Sequence, residues 1–217
     1  MKTALVIGAT GLVGKQLVQQ LLADDRFSRV VVFVRRTTGV QHPKVQEHLI
    51  DFDAVDSWKD LVRGDVLFST LGTTIKKAGS QEAQYKIDYT YQYNFAKVAA
   101  DNGVPAYVLV SSSGAKPTSR IFYSRMKGEL EEAVKKLPFQ YIRIIQPGLL
   151  AGEREEFRLG ETIAYGISSV FKFIPGLDAY RPYHDTVVAK ALINAALTEG
   201  EKIKIYTLSD IFLLAGV

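Results

Sequence analysis

Five short apolar runs, separated by longer amphipathic segments, constrain the fold of this chain more than any other feature. Strands that alternate with helices form parallel sheets. Strands that are apolar along most of their length need cover on both faces. The sequence therefore predicts an α/β fold, a Rossmann-type doubly wound parallel sheet. The runs rich in β-branched and aromatic residues cover residues 4–7, 30–34, 66–68, 107–110 and 141–145.

The segments between these runs predict helices. The first helix begins near Leu12, because Val13, Leu17, Val18 and Leu21 recur at helical spacing with polar residues between them. We interpret residues 1–217 as a single domain, in which residues 146–217 form a small, irregular, lid-like extension on the substrate side. Further helices are predicted over 84–100, 124–136 and 185–197, and a last strand over 202–206.

Composition excludes several classes of partner. The net charge is +4, and no basic run is longer than two residues, so we expect no nucleic-acid partner. The longest apolar runs are far shorter than the roughly 20 residues of a membrane span, so we expect no membrane partner. The chain has no cysteine, and its first residues lack a signal-peptide pattern, which together predict a cytoplasmic protein. A homodimer and a monomer are both compatible with the sequence.

A glycine-rich segment, GATGLVG, lies between the first apolar run and the first helix. Gly8, Gly11 and Gly14 allow the backbone to turn tightly and to approach a pyrophosphate without a Cβ in the way. The N–H groups at the start of the helix favour the negative charge of phosphates. This segment therefore predicts a dinucleotide site, and its G-x-x-G-x-x-G spacing resembles that of the short-chain dehydrogenases.

Arg35 and Arg36 follow the second run, where the choice between NAD and NADP is made. Two guanidinium groups can bind a 2′-phosphate, so they favour NADP(H) as the cofactor. The alternative is an ordinary solvated basic pair. Asp51, after a third strand, is a candidate for hydrogen bonding to the adenine amine, and the alternative is that it only caps the next turn.

Tyr123 and Lys127 are candidate catalytic residues. Four residues apart on a helix, they share one face, and the ammonium there favours the phenolate of the tyrosine. Such a pair can exchange a proton with a carbonyl or alcohol while a nicotinamide transfers hydride. Ser112 and Ser113 follow the strand over 107–110 and are candidates for holding the substrate oxygen. Ser112 is preferred, because alternation along the strand end places it opposite its neighbours, and Ser113 is a close second. The alternative is that these serines only form a turn or helix cap.

Two turns complete the predicted cofactor site. Gly72, in the segment STLGTT after the fourth strand, is predicted to let the nicotinamide and its ribose pass close to the backbone. Pro147 and Gly148 begin a rigid turn that is predicted to flank the carboxamide.

Together, GATGLVG, the arginine pair, FSTLGTT, KAG, VSSSGA and YSRMKGELE resemble the Tat-interactive protein family of atypical short-chain dehydrogenases, over roughly residues 3–160. This chain departs from many short-chain dehydrogenases in two ways. LGTT replaces their asparagine-rich turn, and the gap from serine to tyrosine is shorter. The resemblance implies that NADPH is bound by Thr10, Gly11, Leu12, Val13, Arg35, Arg36, Leu71, Gly72, Tyr123, Lys127, Leu150 and Arg158.

These patterns predict an NADP(H)-dependent oxidoreductase of the carbonyl reductase or alcohol dehydrogenase type, acting on a small carbonyl or alcohol. The main alternative is an NADP(H)-binding regulatory scaffold without turnover, because a cofactor pocket does not by itself prove catalysis. A further alternative is an enzyme like the nucleotide-sugar epimerases and dehydratases, although the arginine pair and the short C-terminal part argue against it.

Other polar and aromatic residues are assigned no function. The three histidines lack partners at metal-ligand spacing, so no metal site is predicted. Glu129, Glu131 and Glu132 are interpreted as a solvated helix face. The aromatic residues between Tyr85 and Phe95 are predicted to spread over several helix faces and to serve the core or a dimer interface.

Overall fold

A seven-stranded sheet forms the centre of the computed structural model, which describes residues 1–148, 150–151 and 183–217. All neighbouring strands in this sheet are parallel. The strands are β1 (Lys2–Ile7), β2 (Phe27–Val34), β3 (Val45–Leu49), β4 (Val66–Ser69), β5 (Ala106–Val110), β6 (Tyr141–Gln146), β7 (Leu150–Ala151), β8 (Tyr183–His184) and β9 (Ile203–Thr207). The order is β3-β2-β1-β4-β5-β6-β9, and β7 and β8 form a separate parallel pair.

Helical segments follow most strands of the sheet, but none lies between β2 and β3. A π-helical segment, Lys86–Tyr91, joins two α-helices into one continuous helical stretch, and short 3₁₀ turns occupy Val55–Ser57 and Lys59–Leu61. The α-helices are α1 (Leu12–Leu22), α2 (Ile75–Ala78), α3 (Gln81–Tyr85), α4 (Gln92–Asp101), α5 (Phe122–Lys135), α6 (Asp185–Ala196) and α7 (Ser209–Ala215).

Two hydrophobic layers cover the two faces of the sheet. Successive side chains of a strand point to opposite faces, so Ala4 and Val6 of β1 contribute to one layer, and Leu5 and Ile7 to the other. Residues of α1 and α6 fill the first layer, and residues of α4 and α5 fill the second. The predicted doubly wound α/β fold is therefore confirmed.

The sequence pattern located most of the longer elements to within about three residues, and the remaining elements differ from the prediction. The helical stretch predicted over 84–100 begins earlier, at Gln81, and contains the π segment. Strand β3 lies outside the five apolar runs because it is an edge strand with polar residues, and only partly buried. The helix α7 has no counterpart in the prediction, and neither do the short elements α2, β7 and β8.

After β8, most of the described residues belong to the central sheet and its covering layer. Strand β9 pairs with β6 as the last strand of the sheet. Helix α6 contributes Val188 and Leu192 to the layer that α1 also fills. The predicted lid falls mainly on residues 152–182, which lie outside the described residues. Among the helices that the structure describes, none is long and apolar enough to cross a membrane.

Candidate cofactor and catalytic site

Four loops meet at one edge of the sheet. They follow β1, β4, β5 and β6, which are neighbours in the sheet and run parallel. Ligands of open α/β sheets bind outside the carboxyl ends of the strands. The fold therefore brings the glycine loop, the LGTT segment, the three serines and the Pro147 turn to the same edge.

Close backbone contacts explain the glycines that follow β1. Gly8 has a φ of +83°, and a Cβ there would overlap the backbone of Thr70 and Leu71. A Cβ on Gly14 would overlap the carbonyl oxygen of Gly8. The Gly11 N–H donates to that same oxygen at 2.9 Å, which closes the turn. The loop is therefore packed so tightly that its shape depends on glycine at two positions.

The start of α1 is suited to an anion. Gly11 is the N-cap residue, no described side chain caps the helix, and the first turn contains no acidic residue. The first N–H groups of a helix have no partner within the helix and attract negative charge. Thr10 and Gly11 are exposed and Leu12 is half-buried, whereas the Val13 side chain lies in the core. These features fit the pyrophosphate of a dinucleotide, with Val13 able to contribute only its backbone.

The LGTT segment after β4 is fixed at both ends. Thr70 donates to the Ile7 carbonyl through its N–H at 3.0 Å and its hydroxyl at 2.9 Å. The Thr73 N–H donates to the Asp88 carboxylate at 2.7 Å, and Asp88 is fully buried on the π segment. Gly72 lies between these anchors and is exposed. The exposed backbone at this position fits the predicted close approach of a cofactor.

Arg35 and Arg36 are both exposed, directly after β2. The nearest following carboxylate in the sequence is Glu47 on β3, which accepts hydrogen bonds from the Thr38 N–H (2.7 Å) and hydroxyl (2.6 Å). Partial burial opposes ionisation of Glu47, but these hydrogen bonds hold the pKa of its carboxyl below the ordinary value. Glu47 therefore holds the loop that follows the two arginines.

Asp51 lies in a turn after β3. Its carboxylate accepts the Asp53 N–H at 2.9 Å, and its carbonyl accepts the Trp58 indole N–H at 2.8 Å. This geometry favours the turn-capping alternative over a contact with adenine.

Tyr123 and Lys127 lie in the first two turns of α5. The ammonium of Lys127 is 6.0 Å from the centre of the Tyr123 ring. Tyr123 is half-buried, and Lys127 is only 3% exposed. The structure therefore brings the two predicted catalytic residues together, with the cation held in a sheltered position.

The three serines after β5 have different environments. Ser111 is buried, and its hydroxyl donates to the carboxylate of Glu131. Ser112 is half-buried, and its hydroxyl contacts the neighbouring Ser113 carbonyl at 3.3 Å. Ser113 is exposed, and its N–H donates to the Pro147 carbonyl at 2.9 Å. Ser111 therefore has a structural partner, whereas the hydroxyls of Ser112 and Ser113 are more accessible.

The interpretation of Glu131 as part of a solvated helix face is wrong. Glu131 is 4% exposed and accepts a hydrogen bond from the Ser111 hydroxyl. The Gln146 amide donates to both of its carboxylate oxygens, at 2.8 and 3.0 Å. Glu132, next in the chain, is exposed and pairs with Lys135, so the solvated interpretation holds for this residue. A signal was present in the sequence, because Glu131 lies four residues after Lys127 and so on the same helix face.

The aromatic residues between Tyr85 and Phe95 occupy more than one helix face, as predicted, and three of the tyrosines share one of these faces. Tyr85, Tyr89 and Tyr93 stack along one face, with ring centres 4.8 and 6.1 Å apart. The Tyr85 hydroxyl donates to Glu129 on α5 at 3.1 Å. Burial and this hydrogen bond raise the pKa of Tyr85 to about 12. Phe95 lies in the core, as predicted.

Two predicted cofactor contacts cannot be placed fully. Leu150 contributes its backbone to the pair of β7 with β8. Arg158 lies outside the described residues.

The fold and the glycine loop define a Rossmann-type nucleotide-binding domain. A family profile described as NAD(P)H-binding matches residues 8–162. The protein fmp52, mitochondrial, of Emericella nidulans is 37% identical, over 91% of this chain and 88% of the relative. The protein FMP52, mitochondrial, of Meyerozyma guilliermondii is 38% identical, over 89% and 85% of the two chains. The chain therefore belongs to the NAD(P)H-binding family and, within it, to the group of Fmp52 proteins.

Solved structures with the same fold include enzymes that bind NAD. The Bordetella bronchiseptica enzyme WbmH, in complex with NAD⁺, has a TM-score of 0.70 and 15% identity, over 95% of this chain and 75% of that one. A UDP-glucose 4-epimerase from Thermotoga maritima has a TM-score of 0.68 and 14% identity, over 98% and 81%. At this level of identity, the similarity concerns the fold.

The predicted cytoplasmic location is wrong, because the relatives from several fungi are named as mitochondrial proteins. The physical reason is that composition reflects folding in water, which is similar in both compartments. The lack of cysteine therefore could not distinguish them.

Proposed function

We propose that this protein is an NADP(H)-dependent oxidoreductase that reduces a small carbonyl compound or oxidises the corresponding alcohol. The observation that carries the proposal is the placement of Tyr123 beside the sheltered Lys127 on α5. The accessible serines, Ser112 and Ser113, follow β5, the strand that precedes α5 in the chain. The motifs quoted above support a place among the atypical short-chain dehydrogenases that resemble the Tat-interactive protein family.

The roles of the residues follow from their chemistry. A bound nicotinamide supplies the hydride for reduction and accepts it for oxidation. In reduction, the Tyr123 hydroxyl donates its proton to the carbonyl oxygen of the substrate. The Lys127 ammonium stabilises the phenolate that remains. Ser112 or Ser113 donates a hydrogen bond to the same substrate oxygen, where negative charge develops.

Replacement of Tyr123 tests the proposed turnover. With a panel of small aldehydes and ketones, Tyr123→Phe should lower kcat by roughly 10²- to 10⁴-fold, because the proton donor is lost. The Kd for NADPH should stay within a few-fold. Tyr141→Phe, on the strand β6, is the matched control and should retain activity. A fully active Tyr123→Phe variant would exclude the assigned role.

Separate replacements distinguish the two serines. Ser112→Ala and Ser113→Ala each remove one hydroxyl, and the one that binds the substrate oxygen should show the larger fall in kcat. We expect the larger effect at Ser112, roughly 10- to 1000-fold, as for the loss of one donor to a developing oxyanion. A larger effect at Ser113 would move the role to that residue.

The preference for NADP(H) rests on Arg35 and Arg36. NADPH and NADH are titrated by nicotinamide fluorescence against the wild type and the Arg35→Ala, Arg36→Ala double variant. NADPH binding should weaken roughly 10- to 100-fold, because charge-assisted hydrogen bonds to the 2′-phosphate are lost. NADH binding should change little. A double Arg29→Ala, Arg63→Ala variant is the control. It removes the same amount of charge, but near the amino ends of the strands and so away from the predicted cofactor site.

Other outcomes of these titrations favour the alternatives. Equal affinity of the wild type for NADPH and NADH would argue against the arginine site and for an enzyme that holds NAD, as in the epimerases. NADPH binding without turnover of any carbonyl would favour a regulatory scaffold.

A further inference from the structure

Glu131 connects three elements at the edge where the site lies. It belongs to α5. Its carboxylate accepts a hydrogen bond from the hydroxyl of Ser111, which follows β5, and hydrogen bonds from the amide of Gln146, the last residue of β6. The residue is 4% exposed, so these hydrogen bonds form away from bulk water. The helix that carries Tyr123 is thereby tied to two strand ends.

The serine segment is held by its backbone as well. The Ser111 N–H donates to the Ile145 carbonyl at 2.8 Å, and the Ser113 N–H donates to the Pro147 carbonyl at 2.9 Å. These bonds continue the pairing of β5 with β6 beyond the end of β5. Because Glu131 binds the side chain of Ser111, it fixes how this segment sits against α5.

A buried carboxylate is costly to retain for packing alone. An ionised group in the interior is tolerated only where hydrogen bonds or opposite charges compensate for the loss of water. Here two side-chain donors reach Glu131, and it lies one helical turn after Lys127, on the same face of α5. An apolar residue would fill the space but would bind neither strand end.

We propose that Glu131 is a positioning residue: it engages Ser111 and holds the serine segment against α5, so that the next two hydroxyls face the substrate in register with Tyr123 and Lys127. The proposal rests on the proposed function. It assigns to a buried carboxylate outside the Tyr-x-x-x-Lys pair the task of aligning the two halves of the catalytic site. Small displacements of such groups lower turnover more than cofactor binding.

Glu131→Gln tests this role while preserving size. Both carboxylate oxygens of Glu131 accept hydrogen bonds from the Gln146 amide, at 2.8 and 3.0 Å. In the variant an NH₂ group replaces one of these oxygens, so a donor faces a donor there and the connection to β6 is weakened. We expect kcat for the carbonyl substrate to fall by about tenfold or more, while the Kd for NADPH stays within about twofold. Glu132→Gln, the exposed neighbour on α5, is the control and should leave both values unchanged.

A reciprocal exchange separates positioning from general stability. In the double variant Glu131→Gln, Gln146→Glu, the amide and carboxylate change places, and the hydrogen bond between the two positions is restored. We expect kcat to recover most of the loss. Recovery of thermal stability without recovery of kcat would overturn the proposal, because it would show that the pair contributes only to folding.

Amide hydrogen exchange gives a readout that does not need turnover. We expect faster exchange across residues 111–121 in Glu131→Gln, and wild-type exchange in Glu132→Gln and in the double variant. If the wild type reduces no carbonyl, the proposed function fails, and the exchange data still decide whether Glu131 holds the serine segment. Wild-type exchange and wild-type kcat in Glu131→Gln would overturn the proposal.

Discussion

The loops after β1 and β5 lie at the same edge of the sheet, but they are shaped in opposite ways. After β1, the structure depends on the absence of side chains, because a Cβ on Gly8 or Gly14 would overlap neighbouring backbone. After β5, it depends on a side-chain network, in which the buried Glu131 accepts hydrogen bonds from Ser111 and Gln146. One loop is suited to a close approach by phosphates, and the other fixes hydroxyl groups.

This difference predicts how each loop tolerates amino-acid substitution. A steric requirement set by backbone atoms leaves little room for adjustment, since both backbone segments directly follow neighbouring strands of the sheet. A hydrogen-bonded network can lose one member and keep the others, at the cost of a partly unsatisfied group. We therefore expect substitutions in the glycine loop to have larger effects than substitutions in the serine network.

The largest effect is expected for Gly8→Ala. The variant combines a positive φ, which costs an L-residue about 1–2 kcal/mol, with overlap against the backbone of Thr70 and Leu71, which adds about 1–3 kcal/mol. Urea unfolding should show the loss, and NADPH binding should be lost with it. Gly39→Ala is the control, since Gly39 has a φ of +71° and nothing within 4 Å of an added Cβ. Equal losses in the two variants would show that the overlap is relieved.

A substantial but smaller effect is expected for Gly128→Ala, on α5. An added Cβ would overlap the backbone of Lys116 and Pro117, in the loop between the serines and α5. We expect a loss of about 1–3 kcal/mol in urea unfolding and lower turnover, with NADPH affinity nearly unchanged. Glu132→Ala, exposed on the same helix, should change stability by less than about 0.5 kcal/mol. Loss of NADPH affinity in Gly128→Ala would show that the two loops are coupled.

A moderate effect is expected for Ser111→Ala. Removal of this hydroxyl takes one hydrogen bond from the buried Glu131 carboxylate and leaves the one from the Gln146 amide. The free energy of unfolding should therefore fall by about 1–2 kcal/mol. Ser57→Ala is the control, because the Ser57 hydroxyl donates to the Ala54 carbonyl at an exposed position. If the two variants had the same stability, the Ser111 hydroxyl would not contribute to the network.

The smallest effect is expected for Thr38→Val, which removes one hydrogen bond to Glu47. Because the folded-state pKa of Glu47 is lowered, its contribution to stability is present above the ordinary pKa and is lost as the pH falls through the folded value. At neutral pH, the free energy of unfolding of the wild type should exceed that of the variant by about 1 kcal/mol or less. The difference should shrink between about pH 5 and pH 3. A stability difference that does not depend on pH would show that Thr38 stabilises the fold through packing and not through the Glu47 carboxylate.

The sequence predicted the fold and the position of the glycine loop, because both depend on neighbours in the chain. Strand and helix patterns repeat over a few residues, and the tight turn at Gly8 is formed by a bond to Gly11, three residues away. The position of Asp51 after the third strand was predicted correctly. The choice between an adenine contact and a turn cap, however, depended on its hydrogen bonds with Asp53 and Trp58.

By itself, the sequence determined the alternation of strands and helices, the glycines after β1 and the paired charges after β2, since each is a property of a short segment. Tertiary structure alone decided that Glu131 binds Ser111 and that Asp88 holds the LGTT segment. The partners of these carboxylates are 20 and 15 residues away in the chain. Packing of the sheet against its helices brings such residues together, and a solvated carboxylate and a buried one are the same letter in the sequence.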